Sequence, residues 1–189
     1  MNNTVNVFEL MRAIQNRRSM GVARLKPDPV PKELILTALE AANWAPSHGE
    51  TEPWRFTVYM GEGRRGLGEA FAEAYREDVE RDGTFKEASF QAQRERTFSA
   101  PVWISLGREE EGLALACAVQ NLHLIANAQG LAGMWLSKGV FVHPSVGRFV
   151  GLTAPHTRLF GFFVLGWPNI PWPVGERRPL DEKLHWVES

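Results

Sequence analysis

The chain has 189 residues, with 21 basic and 22 acidic side chains and a formal net charge of −1. That length suits one domain able to bury its own core, and 44% apolar with 23% charged residues excludes disordered, collagen-like and membrane classes. So even a charge balance gives no bulk electrostatic drive towards nucleic acid or anionic membranes. The one cysteine, Cys117, leaves no internal disulfide or CxxC knuckle and fits a reducing cytoplasm, and the residues up to Phe8 are too polar for a signal-peptide core. The expectation is a single cytoplasmic domain over residues 1–189.

Val7, Leu10, Met11 and Ile14 recur at helical spacing and predict a first helix over 7–16. Lys26-Pro27-Asp28-Pro29-Val30-Pro31 is a connector that cannot be helical. Pro31 then opens a helix carrying Leu34, Ile35, Ala38, Leu39 and Ala42, which ends before Ala45-Pro46. The loop 47–53 feeds a strand from Arg55 to Met60. Helical patterns follow over 69–80 and from Phe85 to Phe98, then a strand from Pro101 to Leu106. The longest helix is expected from Glu111 to Gln129, so rich in small apolar residues that burial nearly all round is anticipated, with Cys117 and His123 in the core and Gly130 as its stop. Ala132 to Leu136 reads as a strand, Pro144 to Phe149 as a short helix, and Thr157 to Gly166 as the most apolar strand. The Pro-rich tail reads as extended chain that packs across something else. The class is α+β; strands separated by helices permit parallel pairing, and strand order is not readable.

Gly61-Glu62-Gly63-Arg64-Arg65-Gly66 satisfies GxGxxG between a strand and a helix, the setting of a dinucleotide fingerprint. The acidic residue at the end of a following strand is missing, because the next strand begins near Pro101. Two arginines would also crowd a backbone that glycines are there to open. A plain glycine-rich turn is the favoured reading; a Rossmann-type NAD-dependent oxidoreductase is the alternative.

Three other groups carry chemistry. Arg17-Arg18-Ser19 offers two guanidiniums and a hydroxyl, a donor set suited to a phosphate monoester, although basic residues also suit a helix C-terminus. Trp44 to Phe56 is a polar loop braced by prolines and tryptophans that can offer hydrogen bonds to the edge of a flat ring; a solvated His48 beside core-capping aromatics is the plain alternative. Arg177 and Arg178 could close over the same anion or lie solvated beside Glu176 and Asp181. The histidines show no metal-ligand spacing, so no metal is expected.

Taken in order, Arg17-Arg18-Ser19, Ala45-Pro46-Ser47-His48 leading to Glu52-Pro53-Trp54-Arg55-Phe56, Gly133-Met134-Trp135-Leu136-Ser137, Gly161-Phe162-Phe163-Val164-Leu165-Gly166 and Arg177-Arg178-Pro179-Leu180 resemble the nitroreductase family of FMN enzymes, from about residue 8 to about 186. The resemblance implies a three-layer α+β fold with a central, mostly antiparallel sheet flanked by helices. It also implies a homodimer with a C-terminal extension crossing the interface, and two FMN molecules between the subunits. Carried over by position, Arg17, Arg18 and Ser19 meet the phosphate and ribityl side. Trp44 and His48 lie in the flavin loop, Trp135, Leu136 and Ser137 contribute from the later strand, and Arg177 or Arg178 reaches the phosphate. The activity implied is ping-pong transfer from NAD(P)H through flavin to a nitroaromatic or quinone, with no acid, base or nucleophile from the protein. Lys138 is a candidate cation near the pyrimidine end by position. Two features depart from the family pattern. Glu50 and Glu52 stand where many members have Asn and Gln, which leaves a non-catalytic flavin-binding module as a further alternative, and Glu52 is expected to turn towards Arg55 or another arginine. A long insertion is absent, which leaves the substrate side open or lidded by residues 63–98.

Overall fold

The computed structural model describes residues 6–80, 83–109, 113–184 and 186–187; the expected helix start at Glu111 and the polar residues 1–5 lie outside them. The elements in chain order are α1 (Val7–Asn16), α2 (Lys32–Asn43), β1 (Trp54–Met60), α3 (Arg64–Glu80), α4 (Glu87–Arg96), β2 (Val102–Arg108), α5 (Ala114–Ala128), β3 (Ala132–Leu136), α6 (Pro144–Phe149) and β4 (Arg158–Gly166). The four strands form one sheet in the order β1-β2-β4-β3. Every neighbouring pair is antiparallel, with Trp54 opposite Arg108, Val102 opposite Leu165 and Ala132 opposite Gly166. The parallel pairing that the helix-separated strands permitted is therefore absent from these ladders.

Side-chain alternation along the two central strands builds a layer on each face. Val102, Ile104 and Leu106 of β2 and Phe163 and Leu165 of β4 join Ile35, Ala38 and Ala42 of α2 and Leu115, Leu122 and Ala126 of α5 in one core cluster. Trp103, Phe162 and Val164 point the other way, into a second cluster with Leu67 and Phe71 of α3, Val146 of α6 and Phe141. Here Phe71 lies 5.5 Å from Trp103, 5.2 Å from Phe141 and 5.1 Å from Phe162, ring centre to ring centre, the spacing at which tilted and edge-to-face aromatics attract. The result is helix–sheet–helix, three layers deep. Helix α3 fills this second core through Leu67, Phe71 and Ala74, so it is part of the body of the domain.

Helix α5 corrects one expectation. Leu115, Ala118, Val119, Leu122 and Ala126 face the core, but Ala116, Cys117 and Gln120 are exposed. An outer-layer helix is covered on the side of the sheet, by α2 and by the end of α1, so its small residues do not imply burial all round. Gly130 ends it at φ 80°, a left-handed stop that glycine adopts without a Cβ penalty. The GxGxxG segment is a short 3₁₀ turn running into α3. Arg64 closes it by donating to the Gly61 and Ala100 carbonyls at 3.0 and 2.7 Å, and Arg65 pairs with Glu62. An antiparallel sheet and a loop filled by its own arginines overturn the Rossmann alternative.

The tail runs back along the N-terminal connector. Leu25 bridges Pro168 in antiparallel fashion, with Lys26 N–H donating to the Trp167 carbonyl and Asn169 N–H to the Arg24 carbonyl, each at 2.8 Å. The Trp172 indole then donates to the Asn16 carbonyl at 2.7 Å. This path carries the C-terminal residues to the end of α1.

Candidate functional site

The turn after α1 is held by its backbone. Arg18 N–H donates to Asn127 Oδ1 at 2.9 Å, His123 Nε2 meets the Arg18 carbonyl at 2.9 Å, and Met20 N–H donates to the Gly133 carbonyl at 2.9 Å, next to a parallel bridge between Ser19 and Gly133. Asn127 is itself fixed by donating to the Leu131 carbonyl at 2.9 Å. The two side chains come from one face of α5, four residues apart. That leaves the arginine side chains free to turn outwards.

They turn into a cavity of about 630 Å³ lined by Ile14, Gln15, Asn16, Arg17, Arg18, Gln120, Val174, Gly175 and Arg177, a size ordinary for a small-molecule site. Arg18 Nε donates to the Pro173 carbonyl at 3.0 Å and Nη1 to the Arg17 carbonyl at 2.8 Å. Arg17 Nη1 lies 3.3 Å from both Ser19 Oγ and His123 Nδ1. Burial first, then the charges of Arg177 and Arg18, lower the Arg17 pKa from its usual value. Gly175 makes room for this packing: a Cβ there would overlap the Arg18 guanidinium. Buried His123 is pushed down to about 4 by desolvation and then by the Arg17 charge, against the opposing effect of its bond to the Arg18 backbone.

The sequence-predicted residues thus divide. Arg17, Arg18 and Arg177 share one cavity, with Ser19 touching Arg17. Arg178 is exposed and does not line it; the Arg178 carbonyl accepts from Lys183 at 3.1 Å. Trp44, 87% exposed, and the exposed His48 lie on the α2–β1 loop and not in this wall. Trp135 packs against the first core cluster and donates to the Phe160 carbonyl at 2.8 Å. Leu136 is buried in the second cluster, and Ser137 and Lys138 are exposed. Alternation along β3 makes the Trp135 and Leu136 side chains face opposite sides of the sheet. Glu52 is exposed, and Arg55 takes only its backbone carbonyl, at 3.1 Å. The carboxylate partner of Arg55 is Glu109, with Nε–Oε1 at 3.0 Å. The sequence reading missed His123, Asn127 and Gly175 as parts of the site. The i, i+4 spacing of two polar residues in an apolar helix was the signal available for the first two. A second cavity of about 570 Å³ between α2 and β1 is lined mainly by apolar groups such as Leu36, Leu39, Val58 and Met60 and gathers no comparable donors.

Comparison with known proteins gives the family and the fold. The description "Nitroreductase family" matches residues 14–167. YfhC of Bacillus subtilis strain 168, which carries a provisional name as an NAD(P)H nitroreductase, is 29% identical over 181 residues, covering 90% of each chain. The crystal structure of a nitroreductase-like protein from Bacillus cereus superposes with a TM-score of 0.80 at 27% identity, over 100% of both chains. The FMN and NADPH-dependent nitroreductase NfnB of Sphingopyxis sp. strain HMH shares the fold, with a TM-score of 0.72 at 24% identity over 95% of this chain and 99% of that one.

Proposed function

The chain belongs to the nitroreductase family, and on that premise we propose that it is an FMN-dependent oxidoreductase, drawing on NADH or NADPH and reducing a small aromatic acceptor such as a nitroaromatic or a quinone. The observation that carries this reading is the convergence of Arg17, Arg18 and Arg177, from the two ends of the chain, on one cavity. Guanidiniums supply forked, permanently charged donors, and the Ser19 hydroxyl adds a neutral one: a set fitted to a phosphate monoester. The space left by Gly175 for Arg18 is a second point of fit. FMN, when bound, supplies the hydride and electron transfer itself. The protein's part is to grip the phosphate with Arg17, Arg18 and Arg177 and to keep the turn 17–20 rigid through His123 and Asn127.

The working unit in this proposal is a homodimer. Helix α1 buries none of its residues, and Phe8 is 87% exposed beside exposed Val7, Leu10, Met11 and Ile14. An apolar face of that size on one helix needs a cover, and the small residues exposed on α5 allow close approach of a second copy. The exposed stretch 48–52 of the α2–β1 loop, which contains His48 and follows the exposed Trp44, then closes over the flavin of the other copy. Purified protein reconstituted with FMN tests the proposal. A yellow complex that bleaches anaerobically with NADPH and recovers colour on adding a quinone is expected. Protein that stays colourless, or binds FMN without oxidising either nicotinamide, overturns the reading.

A further inference from the structure

His123 is buried, 6% exposed, on the inner face of α5, with the Phe163 ring edge-on at 5.0 Å. Its two ring nitrogens meet partners of opposite character. Nε2 lies 2.9 Å from the Arg18 carbonyl oxygen, which can only accept. Nδ1 lies 3.3 Å from Arg17 Nη1, which can only donate. The bonding capacity of the partners therefore fixes the ring as the neutral tautomer with its hydrogen on Nε2. We propose that His123 is a positioning residue for the phosphate grip, its Nδ1 lone pair holding the Arg17 guanidinium in the cavity while Nε2–H anchors the Arg18 carbonyl, so that ligand binding requires the neutral ring. This deepens the flavin proposal and rests on it for the identity of the ligand.

The charged surroundings give the device its sign. The segment after α1 presents Arg17 and Arg18, and the tail adds Arg177, whose charge acts on Arg17. The sheet side offers the uncharged Phe163, and α5 contributes the amide of Asn127 on the Arg18 N–H. Among the described residues no carboxylate pairs with His123. A proton on Nδ1 would set N–H against N–H and add a positive charge to a cluster already positive. The Arg17 anchor would be lost at once, and the burial that lowers the pKa to about 4 keeps the ring neutral at ordinary pH.

The test is FMN affinity of apoprotein, measured by quenching of flavin fluorescence between pH 7.5 and 3.5, for wild type, His123→Gln and His123→Leu. Glutamine can donate to the Arg18 carbonyl and accept from Arg17 without titrating. Leucine fills the apolar space and does neither. A charge-assisted bond of this kind corresponds to a loss on the order of tenfold or more. His123→Leu should bind FMN roughly tenfold more weakly at pH 7.5, and His123→Gln within about threefold of wild type. The ratio of wild-type to His123→Gln Kd, in which the phosphate's own titration cancels, should rise as pH falls through 4, by about fourfold at pH 3.5. Wild-type affinity in the leucine variant, an equal loss in both variants, or a ratio flat with pH overturns the proposal. Nitrogen NMR of the apoprotein gives a readout independent of flavin: the neutral Nε2–H tautomer at pH 7 supports the assignment, and the Nδ1–H tautomer or a charged ring overturns it. If wild type binds no FMN at any pH, it is the flavin reading that has failed; the NMR result then judges His123 by itself.

Discussion

Gly175→Ala is a small perturbation aimed at one guanidinium. The new Cβ would fall within the space of Arg18 Nη2, Cζ and Nε. Those atoms end a flexible side chain, so the overlap is relieved by moving Arg18 and not by unfolding. Gly175 sits in an exposed stretch of the tail, outside both core clusters, so the protein should stay folded and the melting temperature fall by only a few degrees. Moving Arg18 breaks its 3.0 Å bond to the Pro173 carbonyl and withdraws one charged donor from the cavity. A hydrogen bond to a charged group contributes about 1.5–3 kcal/mol, or roughly 10- to 100-fold in Kd at about 1.4 kcal/mol per tenfold. Titration of apoprotein with FMN reads this directly. The double variant with Arg18→Ala sharpens it: if Gly175→Ala acts only by displacing Arg18, it should weaken binding little further once that side chain is gone. Unchanged FMN affinity in Gly175→Ala, or losses that simply add in the double variant, would refute the reasoning.

Four further outcomes follow from other features. Glu50 and Glu52 hold left-handed backbone at φ 56° and 44°; Asn tolerates that region better, so Glu50→Asn should relieve about 1 kcal/mol and raise the melting temperature by about 2–4 °C, and a decrease would count against strain there. Gly161 holds φ 113° with the Leu136 carbonyl where a Cβ would go, so Gly161→Ala should cost about 3 kcal/mol or more in chemical denaturation, and a variant as stable as wild type contradicts this. The lowered pKa of His123, about 4 against 6.5, means the unfolded chain binds the proton more readily. Its contribution to stability should be fully present above pH 6.5 and fall by about 3 kcal/mol as pH drops through 4, a slope that His123→Gln should flatten in urea melts. Replacing Phe8 and Met11 by Asp should convert a dimer to a monomer in sedimentation, and an unchanged mass would remove α1 from the interface.

The elements were legible where local pattern decides structure. Val7 to Asn16, the Pro-bounded α2, and the run Leu159 to Leu165 each carry a period or a breaker that survives folding. The pairing of strands was not, because β2 and β4 are buried on both faces and their unbroken apolar runs carry no sign of direction. The exposure of Cys117 was hidden for a related reason: small residues on α5 state how closely something can approach, not whether it does. Within the site, Arg17, Arg18 and Arg177 could be named from residue type. What gathers them could not, since it depends on a tail that returns along Arg24 to Lys26 and on a histidine 106 residues from the arginine that it holds.

Those three arginines differ from others in the chain. Arg55 pairs with Glu109, Arg65 with Glu62, Arg76 with Glu73 and Arg94 with Glu69, all near the surface, where such pairs contribute little. Among the described residues no carboxylate pairs with Arg17, Arg18 or Arg177. Their contacts are carbonyls, a hydroxyl and an imidazole, which orient a guanidinium without cancelling its charge. Folding therefore brings like charges together and desolvates one of them, at a cost that the core must offset. Such an arrangement is stable only as a small debit in an otherwise packed domain, and a dianion entering the cavity reverses its sign. The charge left unneutralised among the described residues is thus the strongest physical argument for an anionic ligand: the tail is held at α1 by hydrogen bonds from Trp172 to Asn16 and from Arg18 to Pro173 against that repulsion, and the same repulsion explains why the histidine beneath Arg17 must stay neutral.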